Sequence, residues 1–333
     1  VIELFSAQGF NLFDMDDDPC DLTDPGLDGT APAAACQGVA AWQVTAAQAG
    51  AGALTSPAGQ YSFLQGGNPS VSPEVGDTKT IGLVFTPTFF KNFILSVDWF
   101  NIFIEDTIST TGALNTINAC YFGGDAGSCA RILRNPGTGQ LWIGAGRVED
   151  LNTNIGSLET TGVDVNVQYR FDLDDLGLDG SGGLKFELIG TWLDELITDP
   201  GAESGALPYD CAGFHSSGVC GTPNPEWRHR LRSTWATPWD TDLTVTWRYY
   251  GEVTQFTDTE TSLDHTFEAE NYFDLAASIG LPLNSRLRLG VNNVFDNDPP
   301  ISDNVGTTGN GNTYPQTYEA RGRWMFMGIT VDM

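Results

Sequence analysis

Apolar and polar residues alternate with a period of two through much of this chain. In 163–171, Val163, Val165, Val167, Tyr169 and Phe171 share one face, and Asp164, Asn166, Gln168 and Arg170 share the other. Leu243, Val245, Trp247 and Tyr249 alternate with Thr244, Thr246, Arg248 and Tyr250. Phe273, Leu275, Ala277, Ile279 and Leu281 oppose Asp274, Ala276, Ser278 and Gly280, while Leu287, Leu289 and Val291 oppose Arg286, Arg288 and Gly290. This period with one apolar face predicts strands wetted on one side. Nine fall at 74–86, 92–107, 156–171, 183–197, 225–237, 242–254, 269–281, 286–298 and 317–333, and residues 1–6 read as the tail of another. One strand breaks its rule. Phe93, Leu95, Val97 and Trp99 are apolar at odd positions, then Phe100, Ile102 and Ile104 at even ones. That slip predicts a β-bulge near Trp99–Asn101, or emergence from apolar surroundings there.

The connections sort by parity. Those at 87–91, 172–182, 237–241 and 282–285 are short, and those at 7–73, 108–155, 198–224, 255–268 and 299–316 are long. Short turns on one side and long loops on the other characterise outer-membrane barrels, with long loops extracellular and short turns periplasmic. A soluble sandwich has no reason to sort its loops this way. No run of 18 apolar residues predicts a membrane helix, and a barrel escapes that test because only every second residue meets lipid. The fold class expected is all-β, a transmembrane antiparallel β-barrel. The chain starts at Val1 without a signal-peptide pattern, so the expectation is a portion of a longer polypeptide.

Charge sharpens this map. The 333 residues carry 43 Asp or Glu against 15 Lys or Arg, a net charge of −28. The five long connections hold only Arg131, Arg134 and Arg147 as bases, and no base precedes Lys79. So acidic a surface excludes nucleic acid as a partner. The polar face of the strands is instead basic: Arg170, Lys185, Arg228, Arg230, Arg232, Arg248, Arg286 and Arg288. Each Arg would cost ~2–4 kcal/mol if it faced mid-bilayer. These residues are expected to face a polar lumen, with Asp98, Asp164, Glu187 and Asp274, or acids on another domain, as partners. The loop acids supply solubility, or attract cations and cationic substrates, or bridge to anionic lipid through divalent ions.

Candidate chemistry is sparse. Six cysteines fall into local pairs within single long connections, and Cys20–Cys36, Cys120–Cys129 and Cys211–Cys220 is the economical pairing in an oxidising compartment. Asp14, Asp16 and Asp18 have the spacing of a calcium loop but lack its glycine and distal glutamate, so an acidic loop is the plainer reading and no other metal or cofactor is expected. His215, His229 and His265 have no partners in a nucleophile pattern, and no catalytic residue is assigned. Phe89, Phe90, Phe171, Trp235 and Trp239 sit near the short turns and read as an aromatic girdle. Trp42, Tyr61, Phe63, Tyr121, Phe122, Trp142, Tyr209, Phe214, Trp227, Tyr250 and Phe256 sit in or beside the long connections. They either pack those loops or stack against a sugar, an aromatic siderophore or a tetrapyrrole. The ligand-contact candidates among them are Trp42, Tyr61, Tyr121, Phe122, Trp142, Tyr209, Phe214, Trp227 and Tyr250.

Several segments resemble TonB-dependent outer-membrane receptors. They are VIELFSAQGF at the start, GGNPSVSPEVGDTKTIGLVFTPTFFKNFILSVDWFNIFIEDTI, SLETTGVDVNVQYRFDL, PEWRHRLRSTW, GVNNVFDNDPP and YEARGRWMFMGITV, in the family's order and spacing. The resemblance implies that 1–333 is the C-terminal nine to ten strands of a 22-stranded plugged barrel, with the plug and earlier strands outside this chain. Phe326, Gly328, Val331 and Met333 resemble the signal read by the barrel-assembly machinery, although Met333 departs from the usual terminal aromatic. It further implies import of a scarce nutrient, of the ferric siderophore or oligosaccharide class, driven through the plug by the TonB-ExbB-ExbD complex. Outer-membrane lipid, lipopolysaccharide and the rest of the same receptor would be the other partners. A passive porin-like or translocator-like barrel is the alternative, and an outer-membrane hydrolase would need a Ser-His pair that is not found.

Overall fold

A computed structural model describes residues 2–23, 33–201, 207–215, 219–256, 265–302 and 311–331. Its main sheet has nine long strands in sequence order. They are β1 (Val75–Phe85), β2 (Phe93–Glu105), β3 (Ser157–Asp172), β4 (Gly183–Asp199), β5 (Trp227–Ala236), β6 (Thr241–Tyr250), β7 (Glu270–Leu281), β8 (Ser285–Asn292) and β9 (Trp324–Val331). The pairings from β4 through β9 are antiparallel, and the short strand Tyr209–Asp210 adds to β4.

Register confirms the two faces. Thr191, Arg228 and Tyr250 are level across β4, β5 and β6, and so are Ile189, Arg230, Arg248 and Tyr272 across β4 to β7. One step away, Leu188, Leu231, Trp247 and Phe273 form a row on the opposite face. On β9 that apolar face carries Met325, Met327, Ile329 and Val331, all more than half exposed. A sheet with a bare apolar face needs an apolar solvent.

Aromatic residues mark both ends of that face. Near the short turns Phe93, Phe90, Tyr169, Phe171 and Phe186 follow one another at 4.5–6.3 Å between ring centres, and Trp235 meets Trp239 at 6.2 Å. At the other end a second group joins Trp227, His229, Trp247, Tyr249, Phe273 and Phe295. Gly190 makes room for it, because a Cβ there would lie 2.5 Å from the Trp227 ring. Trp227 and Trp235 lie roughly 27 Å apart along β5 at about 3.4 Å per residue. That is close to the ~25 Å apolar band of outer-membrane barrels.

Three strand ends differ from the sequence expectation. β8 stops at Asn292, because fully buried Asn293 takes a left-handed φ of 51° and ties off a turn. Its amide donates to the Asn297 carbonyl at 2.8 Å and accepts from the Asn297 N–H at 3.0 Å. β9 begins at Trp324, not at 317, because Tyr314 and Tyr318 turn into a buried aromatic cluster first. β6 ends at Tyr250, and Val253–Gln255 joins Phe214–His215 and Thr266–Phe267 in a separate three-stranded sheet. In β2 the strand runs on through Trp99–Asn101. Phe100 packs over Gly162 while Asn101 donates to Glu159 and Thr161, so the two keep opposite faces.

The β7–β8 turn is Pro282, Leu283 and Asn284, with φ of 63° at Leu283 and 49° at Asn284. Asn tolerates this region and Leu does not. Leu283→Gly is expected to stabilise the barrel by about 1 kcal/mol, the left-handed penalty of a residue with a Cβ. Urea unfolding in detergent micelles checks this, and a destabilised variant would show that the turn is not strained.

The chain divides into two compact units. One comprises residues 1–77, 103–158 and 198–209, and the other 78–102, 159–197 and 210–333. The first holds a four-stranded sheet ordered Gly9–Asp14, Gln60–Gln65, Arg147–Glu149 and Ile132–Leu133, with short helices including Ala113–Tyr121. Its core buries Cys20, Cys36, Leu54, Tyr61, Ile117, Cys120, Tyr121, Ile132 and Leu141. The two long connections 7–73 and 108–155 therefore form one small module with its own core.

Candidate functional site: the polar face and the long connections

Three disulfides join Cys20 to Cys36, Cys120 to Cys129 and Cys211 to Cys220. The first two brace the module core. There Arg134 is buried and forks onto Asp18, both contacts at 2.8 Å. Its Nε donates to the Tyr121 hydroxyl at 2.9 Å and to the Trp42 carbonyl at 3.1 Å, and Nη1 donates to the Gly139 carbonyl at 2.8 Å. Burial opposes the Arg134 charge, but Asp18 and Tyr121 together more than offset it and hold the pKa above its ordinary value. Burial also pushes the Tyr121 hydroxyl up, and that of Tyr61 to about 12.

This core reassigns several candidates. Tyr61 and Tyr121 are fully or almost fully buried, so neither offers a surface to a ligand. They fill the space enclosed by two crossing connections. Trp142 is half-buried and donates its indole N–H to the Leu54 carbonyl at 2.9 Å, while Trp42 packs on Tyr121. Phe122 stays 49% exposed. Asp14, Asp16 and Asp18 are not brought together as a cation site: Asp18 is spent on Arg134, and Asp14 and Asp16 are exposed. Among the described residues no group of three or more His, Cys, Asp or Glu is arranged to hold a metal ion.

In the other unit, Trp227 lies on the apolar face of β5, its indole N–H donating to His229 Nδ1 at 2.9 Å. Phe214 and Trp227 also line a cavity of about 390 Å³ with Glu226 and Glu252. Tyr209 and Tyr250 are half-buried, and Tyr250 packs against Tyr272 and Tyr318. His215 stacks on Phe267 at 4.1 Å. Nothing in the sequence announced this second aromatic cluster, because its members are scattered from 215 to 318.

The polar face carries the charge. Arg248 forks onto Asp274 with two contacts of 2.9 Å and reaches Glu319 at 3.5 Å. Lys185 pairs with Glu187 at 2.7 Å, and Arg286 with Asp240 at 2.8 Å. Thr191 donates to Asp164 at 2.7 Å. Arg228, Arg230 and Arg232 share this face and are exposed, and among the described residues none has a carboxylate partner. The same is true of Arg170 and of Arg288, which is level with Ser278 and Gly328. A cavity of about 370 Å³ is lined by Ile189, Thr191, Arg228, Arg230, Arg248 and Tyr250, among others. On β9, Phe326 packs over Gly290, Gly328 faces Arg288 and Val331 is level with Ser285. Met333 lies outside the described residues.

A girdled apolar face backed by a charged face is the wall of an outer-membrane β-barrel. The family model for the TonB-dependent receptor-like β-barrel matches residues 33–294, and the chain belongs to that family. Its members are outer-membrane proteins of Gram-negative bacteria, acting as receptors and transporters. No curated protein sequence matches. Among solved structures, the chain resembles a point mutant of the ferric enterobactin receptor PfeA from Pseudomonas aeruginosa in complex with enterobactin. The TM-score is 0.51 at 16% identity, over 80% of this chain and 32% of that one. A second point mutant of that receptor gives the same TM-score, identity and coverage. The siderophore receptor PirA from Acinetobacter baumannii gives a TM-score of 0.47 at 14% identity, over 80% of this chain and 33% of that one. The PfeA likeness is one of fold. The chain spans about a third of the length of these receptors.

Proposed function

We propose that this chain supplies part of the wall and the long extracellular loops of a TonB-energised receptor that imports a scarce nutrient, a ferric siderophore or an oligosaccharide. The observation that carries this is the two-faced wall, apolar and girdled outside and charged inside, in a chain of this family. A charged inner face suits a lumen filled by a plug better than a packed small barrel, whose interior would have to absorb every one of these bases. The plug and the earlier strands would then lie elsewhere in the same polypeptide, and the TonB complex would act on that plug. With the long connections outside, the end of β9 points to the periplasm, where the assembly machinery reads Phe326, Gly328, Val331 and Met333. The Phe214–Trp227 cavity, exposed Phe122 and half-buried Trp42, Trp142, Tyr209 and Tyr250 are the candidates for ligand contact that burial leaves open.

Uptake assays test this. Ferric enterobactin, the ligand named for the PfeA complex, is the first substrate to try, followed by other ferric chelates and oligosaccharides. Cells carrying the full-length gene should accumulate one of these only when TonB is present. Uptake that persists without TonB, with open conductance in planar bilayers, would instead identify a passive channel.

A further inference from the structure

The strand Gly9–Asp14 lies at one edge of the module sheet, with Gln60–Gln65 as its neighbour. In an antiparallel pair, successive residues turn their backbone groups alternately toward the neighbour and away from it. Phe10, Leu12 and Asp14 turn theirs away. Ser62, level with Leu12, sends its N–H to the Leu141 carbonyl at 3.1 Å, and the Leu12 N–H donates to the Asn11 side chain at 2.9 Å. The side chains of Phe10 and Leu12 are also bare, 65% and 53% exposed, while Phe13 turns inward against Tyr61 and Phe63. Asp14 shares the face of Phe10 and Leu12, and both Asp14 and nearby Asp16 are exposed. Natural edge strands are blunted by Lys, by Pro or by a bulge. Residues 9–14 hold neither Lys nor Pro and keep a one-to-one register. Among the described residues, the Asn11 amide on the Leu12 N–H is the one cover that this edge has.

We propose that this strand is a docking edge that takes an extended, basic peptide from outside the receptor as a fifth strand of the module sheet. Backbone groups of Phe10, Leu12 and Asp14 supply the ladder, and the side chains on that face select the sequence. Apolar residues of the peptide meet Phe10 and Leu12, and a Lys or Arg at the next alternate position meets Asp14. The positive charge comes from outside because the module has none to spare. No base precedes Lys79, Arg134 is buried on Asp18, Arg147 pairs with Glu149, and Arg131 donates to Thr111 and Ser128. A second copy of this chain fits poorly, since two net charges of −28 repel. This role does not depend on what the receptor imports.

Fluorescence anisotropy with the full-length receptor in phosphatidylcholine nanodiscs tests this. The probe is a labelled heptapeptide of alternating Lys and Val. It is expected to bind the receptor and not empty nanodiscs. Binding should be lost when N-methylation of alternate amides removes the peptide's edge hydrogen bonds and keeps every side chain. A Glu-Val heptapeptide should not bind. D14N/D16N should weaken the Lys-Val peptide about fivefold, the worth of two exposed ion pairs. Asn11→Ala frees the Leu12 N–H and should tighten binding. No binding of the Lys-Val peptide beyond empty nanodiscs, or equal binding of its N-methylated form, overturns the proposal, and both are read on the unaltered receptor. Undiminished affinity in D14N/D16N overturns it too. A Phe10→benzoylphenylalanine receptor then shows what lies on the edge. Irradiated alone it should give no cross-link, and with the Lys-Val peptide it should capture the peptide. A cross-link formed without peptide, to another segment of the same receptor or to a second copy, means that the edge is already covered and overturns the proposal.

Discussion

Leu275→Arg combined with Val245→Arg is expected to abolish assembly of the barrel, while Thr246→Lys is tolerated. Val245 and Leu275 are level neighbours midway along the apolar face, 44% and 45% exposed. Each Arg at the bilayer midplane costs roughly 2–4 kcal/mol, so the pair approaches the whole stability of an ordinary domain. Thr246 is one residue from Val245 along the same strand but on the other face, the polar one that already carries Arg230, Arg232 and Arg248. Heat-modifiable migration on cold gels and protease resistance in outer-membrane fractions report assembly. Equal behaviour of the two variants would show that the faces are wrongly assigned.

The second large effect lies in the loop module. Arg134→Met leaves Asp18 buried without its partner, and removing one member of a buried pair costs about 3–5 kcal/mol. The loss should stay local, because the contacts of Arg134 are all within the module: Asp18, Tyr121, Trp42 and Gly139. Hydrogen exchange and limited proteolysis of the folded receptor should show residues 33–65 and 113–149 losing protection while β5 to β8 keep theirs. The double variant Asp18→Leu with Arg134→Met removes both charges and is expected to recover much of that protection. Protection unchanged in the single variant would mean that the pair does not hold the module.

The wall could be read from the sequence because its physics is local. Period-two alternation, Gly and Pro at turns and the parity of connection lengths are each visible within a short window, and strand ends such as Gly183 and Leu281 follow from them. The ends that moved involve interactions the window does not contain. Asn293 belongs to an apparently strand-like stretch, but its buried amide folds back on Asn297. The loop candidates were harder still. Tyr121 reads as an aromatic in a polar connection, and only the crossing of a second connection buries it. Asp18 reads as one carboxylate of a calcium-like run, and its true partner is 116 residues away.

That separation also orders events in time. The disulfides of the module span 16 and 9 residues, so each can close while its connection is still an independent stretch of chain. The Asp18–Arg134 pair joins two connections with β1 and β2 between them, and it cannot form until both have arrived in the same place. Long-range closure of this kind is the slow step in folding. The two small covalent loops can therefore close before the core around them is assembled. The ion pair then ties together a core that neither connection can complete alone.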